Sequence, residues 1–231
     1  MSWLRWIVVG VVVVIVVGVG GPFVFIHFVE GKAPAPLSLR STASPSGSAA
    51  SQTTAAGPVA GSWTIASGSE VGYRVKEVLA GQSQTAVGRT ASVTGHLTIA
   101  GTSVTTGTFS VPMKTIKSNE SQRDVQFDGR IMDVATYPTG TFTLTSPINL
   151  APLPATGAIK TYSATGQLTL HGHTRSVTFP LTAERTSTAI KISGSIPVAF
   201  ADWDIPNPSF GSFVTTQNHG LLEFLLDFTR A

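Results

Sequence analysis

From Val59 onward, apolar and polar positions alternate along the chain with a period of two, the spacing of a half-buried strand. Trp63–Ala66 predicts a short strand, and Val71, Tyr73 and Val75 share one face of the next. Ala91, Val93, Gly95, Leu97 and Ile99 form a third set, followed by Phe109, Val111 and Met113, then Phe142 and Leu144. Tyr162, Ala164, Gly166, Leu168 and Leu170 oppose Ser163, Thr165, Gln167, Thr169 and His171. Val177, Phe179 and Leu181 come next, then Ile190, Ile192, Gly194, Ile196 and Val198. Leu222, Phe224, Leu226 and Phe228 close the chain. Gly101-Thr102, His171-Gly172 and Thr186-Ser187 supply turns. One face is apolar and the other rich in Thr and Ser, the pattern of an antiparallel sandwich or an up-and-down barrel.

One stretch breaks the alternation. Residues 118–134 carry Glu120, Arg123, Asp124, Asp128, Arg130 and Asp133 among few strand formers. Asn119 with Gln122 three residues later resembles a capping box, so one or two short helices are expected, ending before Tyr137-Pro138. The apolar faces hold Gly95, Ala164, Gly166 and Gly194 where a packed core favours large residues. Two readings stand: an underfilled barrel able to hold a small ligand, or bulges and sharp strand coiling.

Ahead of the alternating part lie two segments of different character. Residues 7–29 are almost wholly apolar, long enough as a helix (~35 Å) to cross a ~30 Å hydrocarbon layer. Arg5 before it and the Glu30/Lys32 pair after it favour an N-in, C-out orientation. A cleaved signal peptide is the competing reading, but its apolar core is normally shorter, and the small-residue site Ala33-Pro34-Ala35 runs into Pro36. Either way the rest of the chain is exported. Residues 32–57 are mostly Ala, Pro, Ser, Thr and Gly and predict a disordered tether. The division is thus an anchor over 1–31, a linker over 32–57 and a folded domain over 58–231.

Composition narrows the chemistry. The 231 residues hold 15 basic and 12 acidic groups, for a net charge of +3. Arg5, Lys32, Arg40 and Glu30 precede residue 58, which leaves the folded part with 12 basic and 11 acidic groups and no basic cluster for nucleic acid. The absence of cysteine excludes disulfides, Cys-ligated metals, a Cys nucleophile and a lipoprotein anchor. His171-Gly172-His173 puts two imidazoles near one another, yet the alternation places both on the outer face of a turn, and no third ligand lies nearby in sequence. No nucleophile elbow and no phosphate loop is present, and the carboxylates are too scattered for a glycosidase pair. No catalytic residue, metal or cofactor is expected. Arg123-Asp124 is either a salt bridge closing one barrel end or a clamp for a ligand head group. The irregular loop Ala201–Gly211 presents Trp203, Ile205 and Phe210 as a lid over an apolar mouth or a plug in the core end.

The order of these motifs resembles a known family. The series is Trp63-Thr64-Ile65, then Val71-x-Tyr73-x-Val75-Lys76, then Val93-Thr94-Gly95-His96-Leu97. Asn119–Asp124, Tyr137-Pro138-Thr139-Gly140-Thr141-Phe142 and Gly166–Val177, with its Leu168-Thr169-Leu170-His171-Gly172-His173-Thr174 run, complete it. Together, over about residues 62–229, they look like the YceI-like family of lipocalin-like, polyisoprenoid-binding proteins. The resemblance implies an all-β, antiparallel eight-stranded barrel with short closing helices. It also implies a long isoprenoid chain inside, such as a polyprenyl phosphate or a quinone tail, no assigned reaction, an exported location and a plausible homodimer. Ser69-Glu70 and Glu77 stand where the family often has His-Ser and His, and the Asp202–Gly211 loop is longer than the family's.

On that reading the apolar chain would be held by Val75, Phe109, Val111, Phe142, Leu144, Leu168, Val177, Phe179, Ile192, Ile196, Phe224 and Leu226. Arg123 or Lys114 would meet a phosphate or a quinone oxygen. The expected protein is a single-pass cell-membrane protein with an extracytoplasmic lipid-binding barrel. The alternative is a cell-envelope interaction module whose barrel is filled.

Overall fold

The computed structural model describes residues 33–39, 58–79, 81–211 and 214–231. The apolar stretch 7–29 expected to anchor the chain lies outside the described residues, and so do residues 40–57 of the linker. Among the described residues, no helix is long and apolar enough to cross a membrane.

The strands, in chain order, are β1 (Gly61–Ile65), β2 (Glu70–Leu79), β3 (Gln82–Thr90), β4 (Thr94–Ala100), β5 (Ser103–Pro112), β6 (Lys117–Ser118), β7 (Thr139–Leu144) and β8 (Ile148–Asn149). β9 (Ile159–Leu170), β10 (His173–Arg185), β11 (Ala189–Ala199), β12 (Val214–Thr216) and β13 (His219–Arg230) complete the set. All pairings are antiparallel, and the order β1-β4-β5-β7-β9-β10-β11-β13 returns to β1, so eight strands close a barrel. β13 closes it twice: Leu221–Leu225 pair with β2, and Phe228–Arg230 pair with β1. β1 and β2 thus act as one wall strand broken at Ala66–Ser69, and β3 and β4 as a second. Closure removes the edges of the eight wall strands in that cycle, where an open sheet would present a template for aggregation.

The inward face follows the alternation. Ala164, Gly166, Leu168 and Leu170 of β9 are buried, as are Phe224, Leu226 and Phe228 of β13. Four rings fill one half of the barrel. Phe142 lies 5.2 Å from Phe109 and 5.4 Å from Phe179, and Phe224 lies 5.8 Å from Phe179 and 6.3 Å from Phe109. These rings account for Gly166 and Gly194, whereas a Cβ on Gly95 would meet the β5 backbone, 2.2 Å from the Thr108 carbonyl oxygen. A Cβ on Gly166 would stand 2.4 Å from the tip of Phe142, and one on Gly194 2.7 Å from the tip of Phe224. Gly166 and Gly194 are the seats of aromatic rings, so the space they vacate is occupied.

In the other half the wall is split. β3 pairs with the short β6 while β5 runs on to β7, and the segment between β5 and β7 caps the gap. It consists of a 3-10 turn (Met113–Thr115), α1 (Ser121–Gln126) and a π-turn (Phe127–Ile131). The expected helical interruption is present, but its cap is Glu120, one residue later than read. The Glu120 carboxylate accepts the Gln122 N–H at 3.2 Å. Asn119 instead accepts from Arg123 at 2.9 Å. Two further expectations change. Ala91 is exposed between strands, and Met113 is buried in the 3-10 turn after β5. Strand β3, absent from the periodic reading, pairs with β2 along its whole length.

Seven residues of the expected tether are placed: Ala33–Leu39 run extended along the outer wall, with the Leu39 N–H donating to Ser193 Oγ at 3.0 Å.

Candidate functional site

Between the four-ring cluster and the helical cap lies an apolar cavity of about 140 Å³. Its barrel wall comes from Val71, Tyr73 and Val75 of β2, Ala86 of β3, Phe109 and Val111 of β5, Leu168 and Leu170 of β9, and Leu222 of β13. The cap supplies Met113, Ile116, Arg123, Phe127, Ile131 and Met132, and the long loop supplies Phe200, Ile205 and Pro208. A space this size admits a group about as large as benzene. A five-carbon isoprene unit matches it.

The cap is fixed to the wall by a small polar cluster. Arg123 donates to the Glu77 carboxylate at 3.1 Å, and both residues border the cavity. Asp124 faces away and accepts from the N–H and hydroxyl of Ser118, each at 2.8 Å. The adjacent residues of the Arg123-Asp124 pair thus serve different partners. Tyr73 stacks on Phe127 with ring centroids 5.1 Å apart. Burial pushes the Tyr73 phenol up to about 12, against a lowering by Arg123, so the ring is neutral at physiological pH.

The loop after β11 seals the same end. Trp203 and Ile205 are buried, and Phe210 is 71% exposed, so the loop is mostly plug with one ring left outside. Its backbone is held by three side chains. Arg175 donates to the Asp202 carbonyl at 2.9 Å, Arg130 to the Asn207 and Pro208 carbonyls at 3.3 and 3.0 Å, and His171 Nδ1 lies 3.1 Å from the Trp203 carbonyl. His171 is half-buried and packs edge-on against Tyr137 at 4.6 Å, rather than facing outward as the alternation suggested. His171 sits at φ +47° and Gly172 at φ +76°, the two positive-φ positions of a tight hairpin turn, which rotates His171 off the strand pattern. His173 reaches Asp204 at 3.5 Å. Among the described residues no group of three or more His, Asp or Glu could hold a metal.

Of the residues expected to hold an apolar chain, Val75, Phe109, Val111 and Leu168 meet around the cavity, joined by Arg123, which was expected at the head group. Phe142, Phe179 and Phe224 belong to the ring cluster beneath it. Ile196 and Leu226 are fully buried core, and Leu144, Val177 and Ile192 pack against that core. Lys114 is exposed on the 3-10 turn, away from the cavity. Apart from Arg123, sequence reasoning missed the lining from the cap. Arg123, Phe127 and Ile131 recur every four residues, a one-face signal that was available.

Comparison with known proteins bears on this architecture. No curated protein matches the chain. Among solved structures, a polyisoprenoid-binding domain from Saccharophagus degradans, implicated in plant cell wall breakdown, superposes with a TM-score of 0.62 at 16% identity, over 74% of this chain and 99% of that one. BcnA from Burkholderia cenocepacia gives 0.53 at 18% identity, over 69% and 95%. At these identities the likeness is one of fold. The family profile described as YceI-like domain matches residues 63–227. That span runs from the first barrel strand into the last, and the chain belongs to the YceI-like domain family.

Proposed function

We propose that this protein binds the apolar chain of a polyisoprenoid lipid, with the isoprene unit nearest the head group in the cavity beneath the helical cap. In this reading it sits on the outer side of the membrane that residues 7–29 cross. The observation that carries the proposal is the cavity itself: an unfilled apolar space beneath a cap in a barrel otherwise packed with rings. Membership of the YceI-like family supports it, as does the fold shared with a domain described as polyisoprenoid-binding. Binding is driven by burial. Each methylene removed from water contributes about 0.8 kcal/mol, so one isoprene unit contributes roughly 4 kcal/mol.

The polar groups beside the cavity favour a neutral head group. Arg123 is already compensated by Glu77 at 3.1 Å, and Tyr73 keeps its proton. A phosphate would have to take Arg123 from Glu77 and leave that carboxylate, 10% exposed, with Gln84 at 2.9 Å as its remaining donor among the described residues, which is costly. A quinone or isoprenol oxygen imposes no such exchange. The protein acts here by holding its ligand, without a reaction. The test is mass spectrometry of organic extracts from the full chain purified out of bacterial membranes. A stoichiometric isoprenoid species supports the reading, and a lipid-free protein that stays lipid-free after incubation with isoprenoid quinones removes it.

One observation favours a second reading. The four-ring cluster fills half of the barrel, so a long chain cannot pass through without moving Phe109 or Phe142. A filled barrel serving as a cell-envelope interaction module would show the lipid-free result.

A further inference from the structure

The outer wall of a barrel normally faces water, yet one patch on this wall is covered. Glu223 and Ser193 each retain 3% of their exposure, and Val87, which pairs with Arg74 and so shares its outward face, is buried too. These residues lie on β13, β11 and β3, which are consecutive in the wall once β2 is included. The covering element is Ala33–Leu39. The Pro34 carbonyl accepts from Arg74 at 2.7 Å, the Ala35 carbonyl accepts from Arg89, and the Leu39 N–H donates to Ser193 Oγ at 3.0 Å.

The groove beneath this segment is built for it. Arg74 Nε donates to Glu223 at 2.7 Å, and Arg89 lies 3.7 Å from the other Glu223 oxygen, so the carboxylate aligns two guanidinium groups. Each then spends an outer N–H on a peptide carbonyl. Ser193 is positioned by Thr182 at 2.9 Å. The lengths agree as well. Ala35 to Leu39 covers four residue steps, roughly 12 Å in polyproline geometry, and β3 to β11 covers three strand spacings, roughly 14 Å. Pro34 and Pro36 lack N–H groups that would need partners and hold the chain extended beforehand, which lowers the ordering cost that a free linker would bear. The contacts read backbone, and Leu37 and Leu39 are half-buried.

We propose that the wall formed by β3, β2, β13 and β11 is a peptide-docking groove whose ligand is the chain's own Ala33–Leu39, bound in cis. Docking removes the slack between the barrel and whatever precedes Ala33. Undocked, the 28 residues from Ala33 to Ala60 would give a reach of about 30 Å. Docked, the barrel is held by one defined wall. This inference is independent of what the cavity binds.

The chain has no cysteine, which permits a direct test on the full-length protein in mild detergent. Leu39→Cys with Ser193→Cys, treated with a short bis-maleimide, should give one cross-linked species at monomer mass, insensitive to dilution. Absence of the cross-link, or cross-linked dimers, would overturn docking in cis. In a second arm, Pro34→Gly, Pro36→Gly, Leu37→Ser and Leu39→Ser are combined to empty the groove while leaving Arg74, Arg89 and Glu223 in place. The acetylated, amidated peptide Ala-Pro-Ala-Pro-Leu-Ser-Leu should then bind this variant saturably and at least tenfold more tightly than it binds the parent protein. Equal binding to both, or to neither, would sink the groove.

Discussion

Tyr73 of β2 stacks on Phe127 of the helical cap with ring centroids 5.1 Å apart and planes inclined by 17°. This contact ties the barrel wall to the segment that roofs the cavity, and it buries a phenol whose proton is held up to about 12. An acid with a raised folded-state pKa stabilises the fold fully below its unfolded value near 10, and that contribution is lost as pH rises through the folded value. Stability should therefore fall by roughly 2 kcal/mol between about pH 10 and 12. In Tyr73→Phe this component should be missing. Urea titrations of both proteins at pH 8, 10 and 11.5 measure the difference.

The cavity can be closed from the wall. Ala86 is buried on its lining, and Ala86→Leu would add methyl groups into that space at little cost, since volume is available. The variant should melt within a few degrees of the parent and lose at least tenfold of any co-purifying isoprenoid. Unchanged lipid content in a folded Ala86→Leu protein would place the ligand elsewhere.

The ring cluster predicts a coupled pair. Gly166→Ala would put a Cβ 2.4 Å from the Phe142 tip and 2.5 Å from the Thr143 carbonyl, an overpacking cost of about 1–3 kcal/mol. Phe142→Leu withdraws the ring and should relieve part of that cost; the Thr143 carbonyl remains. A double-mutant cycle from denaturant curves should show a favourable interaction of at least ~0.5 kcal/mol.

The loop after β11 separates two roles. Trp203 is 2% exposed, and Trp203→Ala should cost about 3–5 kcal/mol. Phe210 projects outward, and Phe210→Ser should change stability by no more than about 0.5 kcal/mol. Equal destabilisation by both would show that the outer ring is packed in solution.

Much of the barrel was legible because its strands are half-buried. β9 alternates along its length and β13 keeps an unbroken apolar inner face from Leu222 to Phe228, and that pattern marks a two-faced sheet. β3 was illegible because Gln82, Ser83, Gln84 and Thr85 precede its only adjacent apolar pair, Ala86 and Val87. Ala86 faces the cavity and Val87 the outer groove, so the strand has no consistent apolar face to read. The inward glycines were visible, but whether a ring from a neighbouring strand fills the vacated space is a tertiary fact. The docked segment was read as tether for a related reason. Its composition is that of a linker, and its partners, Arg74, Arg89 and Ser193, lie far along the chain.

The first barrel strand is hydrogen-bonded to the last: Trp63 pairs with Arg230 and Ile65 with Phe228. The same final strand brings Phe224 and Leu226, two of the most deeply buried side chains. A chain made from its N-terminus therefore cannot complete its wall or its core while the last dozen residues remain in the ribosome. Until then β1 and β11 keep open edges, and the apolar interior is accessible. Folding of this domain thus waits for its last strand, and a chaperone that shields strand edges would act on it until that strand arrives.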